Sequence, residues 1–198
     1  MLNTKIIVFL IIFSYLFGNL SPAIILSKAF KQTDIREHGS GNAGTTNVLR
    51  VMGKRFGAAV FLLDLLKGAI PAYLGLLYGG MDIAYICGIT AAIGHVFPVL
   101  YGFKGGKGVA TSFGAALVLS PPFALISILV FAVVVYATRY VSLGSIIGTA
   151  TFPILMALFN NRLSIKMYSL IFALIIIYSH KKNISKLING TENKIGKK

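Results

Sequence analysis

Charged residues are scarce in this sequence, and acidic residues are the scarcest of them. Charged side chains make up 12% of the 198 residues, with 5 Asp and Glu against 19 Lys and Arg. Soluble domains carry about twice that charged fraction, so a soluble enzyme is excluded. Cysteine occurs once, which excludes a disulfide-stapled secreted domain. The 3 histidines and 5 acids are too scattered for a metal site, and we expect neither a metal nor a cofactor.

Long apolar segments dominate the rest of the chain. Hydrophobic residues reach 56%, the mean hydropathy is +0.81, and the apolar residues run in continuous blocks typical of bilayer-spanning helices. Pro121-Pro122 interrupts one of these blocks. We therefore predict an all-α polytopic membrane protein that forms a single domain over residues 1–198. The seven predicted transmembrane helices cover residues 6–26, 56–78, 83–101, 109–120, 122–137, 143–159 and 165–180.

The distribution of lysine and arginine favours seven spans over six. With seven spans and the N-terminus outside, the segments 27–55, 102–108, 138–142 and the tail from Lys181 share one face. Cytoplasmic loops are enriched in basic residues, so this face and the C-terminus are predicted to be cytoplasmic. Its fifteen basic residues are Lys28, Lys31, Arg36, Arg50, Lys54, Arg55, Lys104, Lys107, Arg139, Lys181, Lys182, Lys186, Lys194, Lys197 and Lys198. The opposite face has only Lys5, Arg162 and Lys166.

The net charge of +14 is explained by this topology and by attraction to anionic membrane lipid. The chain has no soluble face on which a nucleic-acid groove could form, so nucleic acid is not expected as a partner. Residues 1–26 carry only Lys5 as an early charge, and no small-x-small cleavage site follows them. We therefore interpret this segment as a retained first helix and not as a signal peptide.

The first polar segment whose residues could bind a substrate or take part in catalysis runs from Gly39 to Arg50. Its glycines match G-x-G-x-x-G, but the charged linker before them is not the strand that a dinucleotide-binding fold requires. Glycines nevertheless let backbone N–H groups turn toward an anion, and Ser40 and Thr46 supply hydroxyls. A helix starting near Thr46 would point its N-terminus at the same place, where Arg50 could bind phosphate oxygens. The alternative is a polar connecting loop that is glycine-rich because it turns tightly.

The second segment, Phe103–Thr111, follows Gly94-His95-Val96-Phe97-Pro98. Gly105, Gly106 and Gly108 surround a lysine just before a predicted helix, which favours another phosphate-binding loop, although no strand and no Ser or Thr complete a Walker A sequence. Lys104 and Lys107 supply positive charge on either side. The alternative is a basic hairpin that anchors two helices at the membrane interface.

Two further features involve ionisable or polar residues near the spans. His180 and Asn183 are three residues apart and would share one face if the last helix continued through them. The lysines around them also fit a juxtamembrane anchor. Asp64 and Lys67 lie one turn apart inside the second predicted span, where an ionisable residue is by default a functional candidate. Since they can neutralise each other, we interpret them as a structural ion pair.

Taken together, these segments resemble the bacterial acyl-phosphate-dependent glycerol-3-phosphate acyltransferases, the PlsY family of integral membrane enzymes. The resemblance covers nearly the whole chain and rests on three segments in order. They are Gly39-Ser40-Gly41-Asn42-x-Gly44-x-Thr46-Asn47-x-x-Arg50, then Gly94-His95-x-Phe97-Pro98 with Phe103–Thr111, and finally His180-x-x-Asn183-Ile184-x-Lys186-Leu187-x-x-Gly190-Thr191-Glu192.

The resemblance implies transfer of a fatty acyl group from acyl phosphate to the 1-hydroxyl of glycerol 3-phosphate. The products would be 1-acylglycerol 3-phosphate (lysophosphatidic acid) and phosphate, in phospholipid biosynthesis. It further implies a multi-pass protein of a bacterial inner (plasma) membrane with its active site on the cytoplasmic face, and we expect a monomer. Ser179 and Lys186 depart from the family, which usually has arginine at both positions, and the loss of a bidentate fork could weaken phosphate binding.

Residue roles are carried over from the family by position. Catalytic roles are implied for Ser40, Arg50, Lys107, His180 and Asn183, and structural roles for His95 and Glu192. Substrate binding is implied for Asn42, Thr46, Asn47, Lys104, Gly105, Gly106 and Gly108.

The implied chemistry suits these residue types. Acyl phosphate is an activated anhydride, so no covalent enzyme intermediate is needed, and basic side chains with loop amides can hold two anionic substrates together. The attacking hydroxyl needs a base, which could be His180 or the phosphate of the donor itself. We favour the phosphate. The His-x4-Asp arrangement of acyl-CoA-dependent acyltransferases is absent, because Ala43, Leu100 and Ser185 stand five positions after the three histidines.

The alternative function is a membrane transporter of organic phosphates, since glycine-rich loops and basic residues on one face would also suit that role. Transporters usually bind at the membrane midplane on broken helices related by internal repeats. The sequence has no internal repeat and no midplane anion site beyond Lys67, whose charge is offset by Asp64. We therefore favour the acyltransferase.

Overall fold

The structure is a computed structural model, and it describes residues 4–196. Lys197 and Lys198, which the charge count places on the cytoplasmic face, lie outside the described residues. The chain divides into two compact units, one ending at Leu119 and the other starting at Ser120. The first contains α1 (Thr4–Asn19), α2 (Pro22–Lys31), α3 (Thr45–Met52), α4 (Lys54–Val96) and α5 (Val109–Leu119), with 3-10 turns at Ile35–Glu37 and Val99–Tyr101. The second contains α6 (Pro121–Thr138), α7 (Val141–Phe159), α8 (Leu163–Ser179) and α9 (Lys181–Ile188).

The predicted first span, residues 6–26, is not one helix. Helix α1 ends at Asn19, and α2 begins at Pro22 with Ser21 as its N-cap. Proline has no N–H to donate to the preceding turn but fits the first turn of a new helix. The Ser21 hydroxyl accepts a 3.4 Å hydrogen bond from Ile24 N and so caps α2. An apolar run therefore conceals a helix break.

Helix α4 is a hairpin of two helical halves. A straight helix of 43 residues would be about 65 Å long, more than twice the hydrocarbon thickness of a bilayer. Gly80, with φ 74° and ψ −170°, interrupts the helical backbone and reverses the chain. Just beside this bend a Cβ on Gly75 would lie 2.8 Å from Ala84 Cα, so the two halves touch. The second predicted span lies on the first half, and the third lies on the second half and the turn that follows it.

Small residues let the other helices of the first unit approach α4 closely. A Cβ on Gly18 of α1 would overlap the carbonyl oxygen of Ala91, and one on Gly68 of α4 would overlap the carbonyl oxygen of Thr111 in α5. Such close backbone approach is how helices associate in membranes, where apolar burial alone gives little driving force. Helix α1 therefore packs on the second half of α4, and α5 packs on the first.

In the second unit, α6 and α7 form an antiparallel pair joined by a short turn at Arg139 and Tyr140. A Cβ on Gly144 would lie 3.0 Å from the Phe131 carbonyl oxygen, so this pair also packs through glycine. Helix α6 begins at Pro121, where the Pro-Pro pair predicts a break. Helices α8 and α9 meet at an angle of 61°. The last helix therefore bends at His180, where the predicted seventh span ends, and does not continue straight to Asn183.

By length and apolar composition, four helical segments of the described residues could cross a membrane, or five if α8 and α9 count as one span. The four are Thr4–Lys31, Lys54–Tyr101, Pro121–Thr138 and Val141–Phe159. This count differs from seven because the two halves of α4 form one continuous segment and α5 has only 11 residues. The chain is thus all-α with about four to five candidate spans, while seven spans and their orientation stay predictions.

Candidate active site

The first glycine-rich loop leads directly into the N-terminus of α3. Gly39 and Gly41 have φ values of 61° and 71°, the left-handed region that favours glycine. Gly44 is the residue before α3, and no side chain caps the helix there. A helix N-terminus carries partial positive charge, so this end of α3 suits an anion.

The buried side chain of Asn47 stabilises this loop by hydrogen bonds to its backbone. Its side-chain nitrogen donates hydrogen bonds to the carbonyl oxygens of Ile35 (3.1 Å) and His38 (2.9 Å). Its side-chain oxygen accepts one from Ser40 N at 2.8 Å. The residue is only 1% exposed. Asn47 therefore positions Ser40 through backbone contacts, and its predicted binding of substrate stays a prediction.

The other predicted residues of this segment lie nearer the surface. Ser40 and Arg50 are exposed, whereas Asn42 and Thr46 are half-buried. Arg50 lies in the last turn of α3. The exposed hydroxyl and guanidinium can therefore meet a polar substrate from solvent.

The second glycine-rich loop is seated on His95, the penultimate residue of α4. Gly106 N donates a 3.1 Å hydrogen bond to the His95 carbonyl oxygen. A Cβ on Gly106 would overlap His95 Nε2 and lie 2.7 Å from the Ala43 carbonyl oxygen, and a Cβ on Gly105 would lie 2.6 Å from Pro98. Only glycine fits at these two positions. Gly106 thus brings the second loop against the first, at Ala43.

This loop also ends at a helix N-terminus. Gly108 has φ 80°, and its carbonyl accepts a 2.8 Å hydrogen bond from Ser112 N in the first turn of α5. Lys104 is exposed and Lys107 is half-buried, on the two sides of the glycine pair. Two helix N-termini, each preceded by glycines and accompanied by basic side chains, therefore belong to the same unit.

Arg36 joins the two loops, a role that sequence analysis missed. Its guanidinium forms two hydrogen bonds with Asp34, of 3.0 Å to Oδ1 and 2.8 Å to Oδ2. Its Nη1 donates to the carbonyl oxygens of Tyr101 (3.0 Å) and Lys104 (3.4 Å). The bonds from Arg36 lower the pKa of Asp34 to about 2, and the carboxylate raises the pKa of Arg36. The Asp34-x-Arg36 spacing was the available signal, but both distant acceptors are backbone atoms with no signal in sequence.

A buried ionic cluster lies beneath the second loop. Asp64 Oδ1 is 2.9 Å from Lys67 Nζ and 3.5 Å from His95 Nδ1. Lys67 Nζ also donates a 2.6 Å hydrogen bond to the Leu20 carbonyl oxygen. The predicted ion pair of Asp64 and Lys67 is therefore confirmed. His95 and Leu20 as further partners were missed, because the bend at Gly80 and the break after α1 bring them in from distant positions.

In the second unit, His180 lies at the bend between α8 and α9. It is 2% exposed, and its Nδ1 is 2.8 Å from the Ile176 carbonyl oxygen. A carbonyl only accepts, so Nδ1 carries the proton of the neutral ring, and Nε2 is the nitrogen able to take up another. The neighbouring Ser179 hydroxyl also donates to the Ile176 carbonyl, at 2.7 Å.

Asn183 and Glu192 hold the C-terminal tail together. Asn183 Nδ2 lies 3.0 Å and 3.1 Å from the two carboxylate oxygens of Glu192. Further along, Ile195 N donates a 2.8 Å hydrogen bond to the Arg139 carbonyl oxygen. Asn183 and Glu192 are thus direct partners, while the structural role expected for Glu192 and the catalytic role expected for Asn183 stay predictions. Within residues 4–196, no group of three His, Cys, Asp or Glu side chains could hold a metal ion.

Known proteins match this chain over almost its full length. The sequence model described as glycerol-3-phosphate acyltransferase matches residues 8–190. The glycerol-3-phosphate acyltransferase of Thermoanaerobacter pseudethanolicus is 47% identical over 187 residues, covering 94% of this chain and 94% of that protein. The enzyme of the same name from Finegoldia magna is 43% identical over 198 residues, covering 99% and 100%.

Two crystal structures of PlsY, an integral membrane glycerol 3-phosphate acyltransferase, are also similar to this chain. The glycerol 3-phosphate form has a TM-score of 0.92 at 40% identity and covers 96% of each chain. The lysophosphatidic acid form has a TM-score of 0.89 at 38% identity and covers 96% of this chain and 95% of that one. Glycerol 3-phosphate and lysophosphatidic acid are therefore bound in structures of homologues.

Proposed function

The chain belongs to the PlsY glycerol-3-phosphate acyltransferase family, integral membrane enzymes that produce lysophosphatidic acid, and from this premise we propose the donor, the site and the topology. The acyl donor is acyl phosphate, and the acceptor is the 1-hydroxyl of glycerol 3-phosphate. Both substrates carry a phosphate group, so the site must hold two anions close together. The enzyme works as a monomer in the inner membrane of a bacterium.

The observation that carries this proposal is the contact between the two glycine-rich loops at Ala43 and Gly106. Each loop runs into a helix N-terminus, and each brings basic residues with it, so one unit offers two adjacent places for phosphate. We assign Ser40, Asn42, Thr46 and Arg50 to the first loop. Lys104, Gly105, Gly106, Lys107 and Gly108 belong to the second.

The reaction needs no covalent intermediate on the protein. The 1-hydroxyl oxygen of glycerol 3-phosphate attacks the carbonyl carbon of the donor, and the bond between that carbon and the bridging phosphate oxygen breaks. The hydroxyl proton passes to the departing phosphate, which titrates near about 6 and so can act as the base. Arg50, Lys104 and Lys107 hold the two phosphates and offset their repulsion. His180 and Asn183, in the second unit, have roles in the reaction by resemblance.

The proposed topology has seven spans with the N-terminus outside and the active site on the cytoplasmic face. It is supported by the excess of lysine and arginine on the loops that carry the candidate site residues. Glycerol 3-phosphate is a small anion that cannot cross the bilayer core, so its site must open to the compartment that supplies it. Labelling of cysteines introduced one at a time at Ser40 and Lys166, in a Cys87→Ala background and in intact cells, tests this orientation. An impermeant reagent should label Lys166→Cys and spare Ser40→Cys.

The donor is tested by measuring phosphate release from the purified protein in detergent or lipid. Glycerol 3-phosphate is supplied with palmitoyl phosphate and, in parallel, with palmitoyl-CoA. We expect phosphate release that depends on glycerol 3-phosphate, and no lysophosphatidic acid from the thioester. Product from palmitoyl-CoA at a comparable rate would overturn the proposed donor.

A further inference from the structure

The buried ionic cluster beneath the second loop has no role in the proposed chemistry. Asp64, Lys67 and His95 are each at most 6% exposed. Ionisable residues within membrane segments are costly to bury. Apolar side chains of similar size often give a protein equal or greater stability than a buried ion pair, so stability alone does not explain this cluster. We propose that these three are positioning residues that hold the 105–108 loop where it binds phosphate. This inference rests on the phosphate-binding role proposed for that loop.

The cluster is anchored at one end to the break between α1 and α2. In a continuous helix the Leu20 carbonyl would accept from Ile24 N, but Ile24 N donates to the Ser21 hydroxyl instead. Lys67 Nζ donates a 2.6 Å hydrogen bond to the Leu20 carbonyl in its place. The end of α1 is thereby fixed to the first half of α4 through a buried polar group that needs a partner.

Asp64 carries the connection across the α4 hairpin. It lies on the first half of α4, and its Oδ1 lies between Lys67 Nζ of the same half and His95 Nδ1 of the other. The bend at Gly80 is what brings Asp64 and His95 together. Because one carboxylate oxygen lies 2.9 Å from Lys67 Nζ and 3.5 Å from His95 Nδ1, the two halves of the hairpin approach each other through Asp64 at the end away from the bend.

His95 completes the connection to the loop. Its carbonyl accepts the Gly106 N–H, and its Nε2 lies directly against Gly106 Cα, where a Cβ would overlap it. Gly106 in turn lies against the Ala43 carbonyl of the first loop. The chain of contacts from Leu20 through Lys67, Asp64 and His95 therefore ends at the place where the two loops meet.

The decisive variant is the double substitution Asp64→Leu with Lys67→Met. Two apolar side chains of similar size remove both charges together, so no unpaired charge is left buried. The Leu20 carbonyl loses the hydrogen bond from Lys67, so the melting temperature should fall moderately while the protein stays folded. A misplacement of about 1 Å can lower a rate about 100-fold. We expect kcat/KM to fall about 100-fold, with a raised KM for one of the two phosphate substrates.

A cycle with Gly106→Ala separates positioning from general stability. Gly106→Ala displaces the same loop directly, so it should raise the KM for the same substrate. The combined variant should lose much less than the product of the two separate losses, because both changes act through one loop position. Leu10→Ala, a buried change in α1 about 15 Å along the helix from Leu20, is the control for lost stability alone.

The outcomes distinguish this inference from the proposed function. If the wild type turns over neither donor, the proposed function fails. If the wild type is active and Asp64→Leu/Lys67→Met keeps kcat and both KM values within twofold, or if its loss multiplies fully with that of Gly106→Ala, the positioning role is wrong. Should the double variant not fold, His95→Asn takes its place in the cycle under the same criterion, since its amide can still reach Asp64 but lacks the ring against Gly106.

Discussion

Arg36 donates two hydrogen bonds to Asp34, of 3.0 and 2.8 Å. Its remaining nitrogen donates to backbone carbonyls at the start of the second glycine-rich loop. Asp34 fixes the direction of the guanidinium, and the guanidinium fixes the carbonyls of Tyr101 and Lys104. A planar fork with several donors is needed for this arrangement, and lysine does not offer one. The pair is therefore a connection between the two loops and not an ordinary surface ion pair.

Arg36→Lys should lower kcat/KM about 10-fold, chiefly by raising the KM of a phosphate substrate. The charge is kept, but the two bonds to Asp34 and those to the second loop cannot all form from one ammonium group. Steady-state kinetics with each substrate varied in turn will measure the change. Arg55→Lys, at an exposed position in the first turn of α4, is the control. Equal losses in the two variants would contradict the role given to Arg36.

Asp34 should make stability depend on acid pH. Its pKa is lowered from 3.8 to about 2 in the folded protein, so the carboxylate contributes stability that is fully present above pH 4. That contribution is lost as the pH falls through the folded value. The melting temperature of the wild type should exceed that of Asp34→Asn by a constant amount between pH 7 and 5. The difference should narrow from about pH 4 to about pH 2, and a difference that stayed constant there would refute the assignment.

Gly106→Ala should reduce kcat/KM about 100-fold while the protein stays folded. A methyl group there overlaps His95 Nε2 and crowds the Ala43 carbonyl, so the loop must move away from both, and small displacements of a binding group cost rate steeply. Gly102→Ala, just before the loop, places its methyl in open space but puts alanine at φ 64°, so it serves as the control for backbone strain without a steric overlap. Near-normal turnover by Gly106→Ala would show that the close contact of Gly106 with His95 and Ala43 is not needed for activity.

Several of these features could be predicted from the sequence, and the reasons for the rest are physical. Glycines beside Ser40 and Lys107 identify flexible, basic loops, and the three-residue spacing of Asp64 and Lys67 identifies an ion pair, because these are local patterns. His95 joins that pair only because α4 bends back at Gly80. The bend lies in the gap between the predicted spans 56–78 and 83–101, but that gap does not tell which side chains meet across it. The break before Pro22 lies among apolar residues, so a hydropathy profile does not reveal it.

Besides contacts that depend on bends and breaks in helices, hydrogen bonds to main-chain carbonyls cannot be predicted from the sequence. Asn47 binds the carbonyls of Ile35 and His38, and Arg36 binds those of Tyr101 and Lys104. Every residue has a carbonyl, so no residue type marks these acceptors. This is why Asn47 was expected only to bind substrate, and why Arg36 was counted only as a charge.

Reversal of the Asn183–Glu192 contact can separate a structural from a catalytic role for Asn183. Asn183→Asp places a second carboxylate beside Glu192, so the repulsion should loosen the tail and lower both the melting temperature and activity. Adding Glu192→Gln restores a hydrogen bond with the amide on the other side, and the melting temperature should recover. If Asn183 also acts on substrate, the activity of the double variant should stay at least 10-fold below that of Glu192→Gln alone. Full recovery of activity would assign Asn183 a structural role only.

His180→Gln tests which group takes the proton from the attacking hydroxyl. A positioned general base contributes about 100-fold to 10,000-fold, so loss of that function would remove nearly all turnover. If the donor phosphate is the base, His180→Gln should lose less than about 100-fold and should keep glycerol 3-phosphate binding, because the proton is then taken up by the substrate and not by the imidazole ring. Turnover and binding are measured separately, by phosphate release and by equilibrium binding of labelled glycerol 3-phosphate. Abolished turnover with binding intact would make His180 the base, and the substrate-assisted route would then be abandoned.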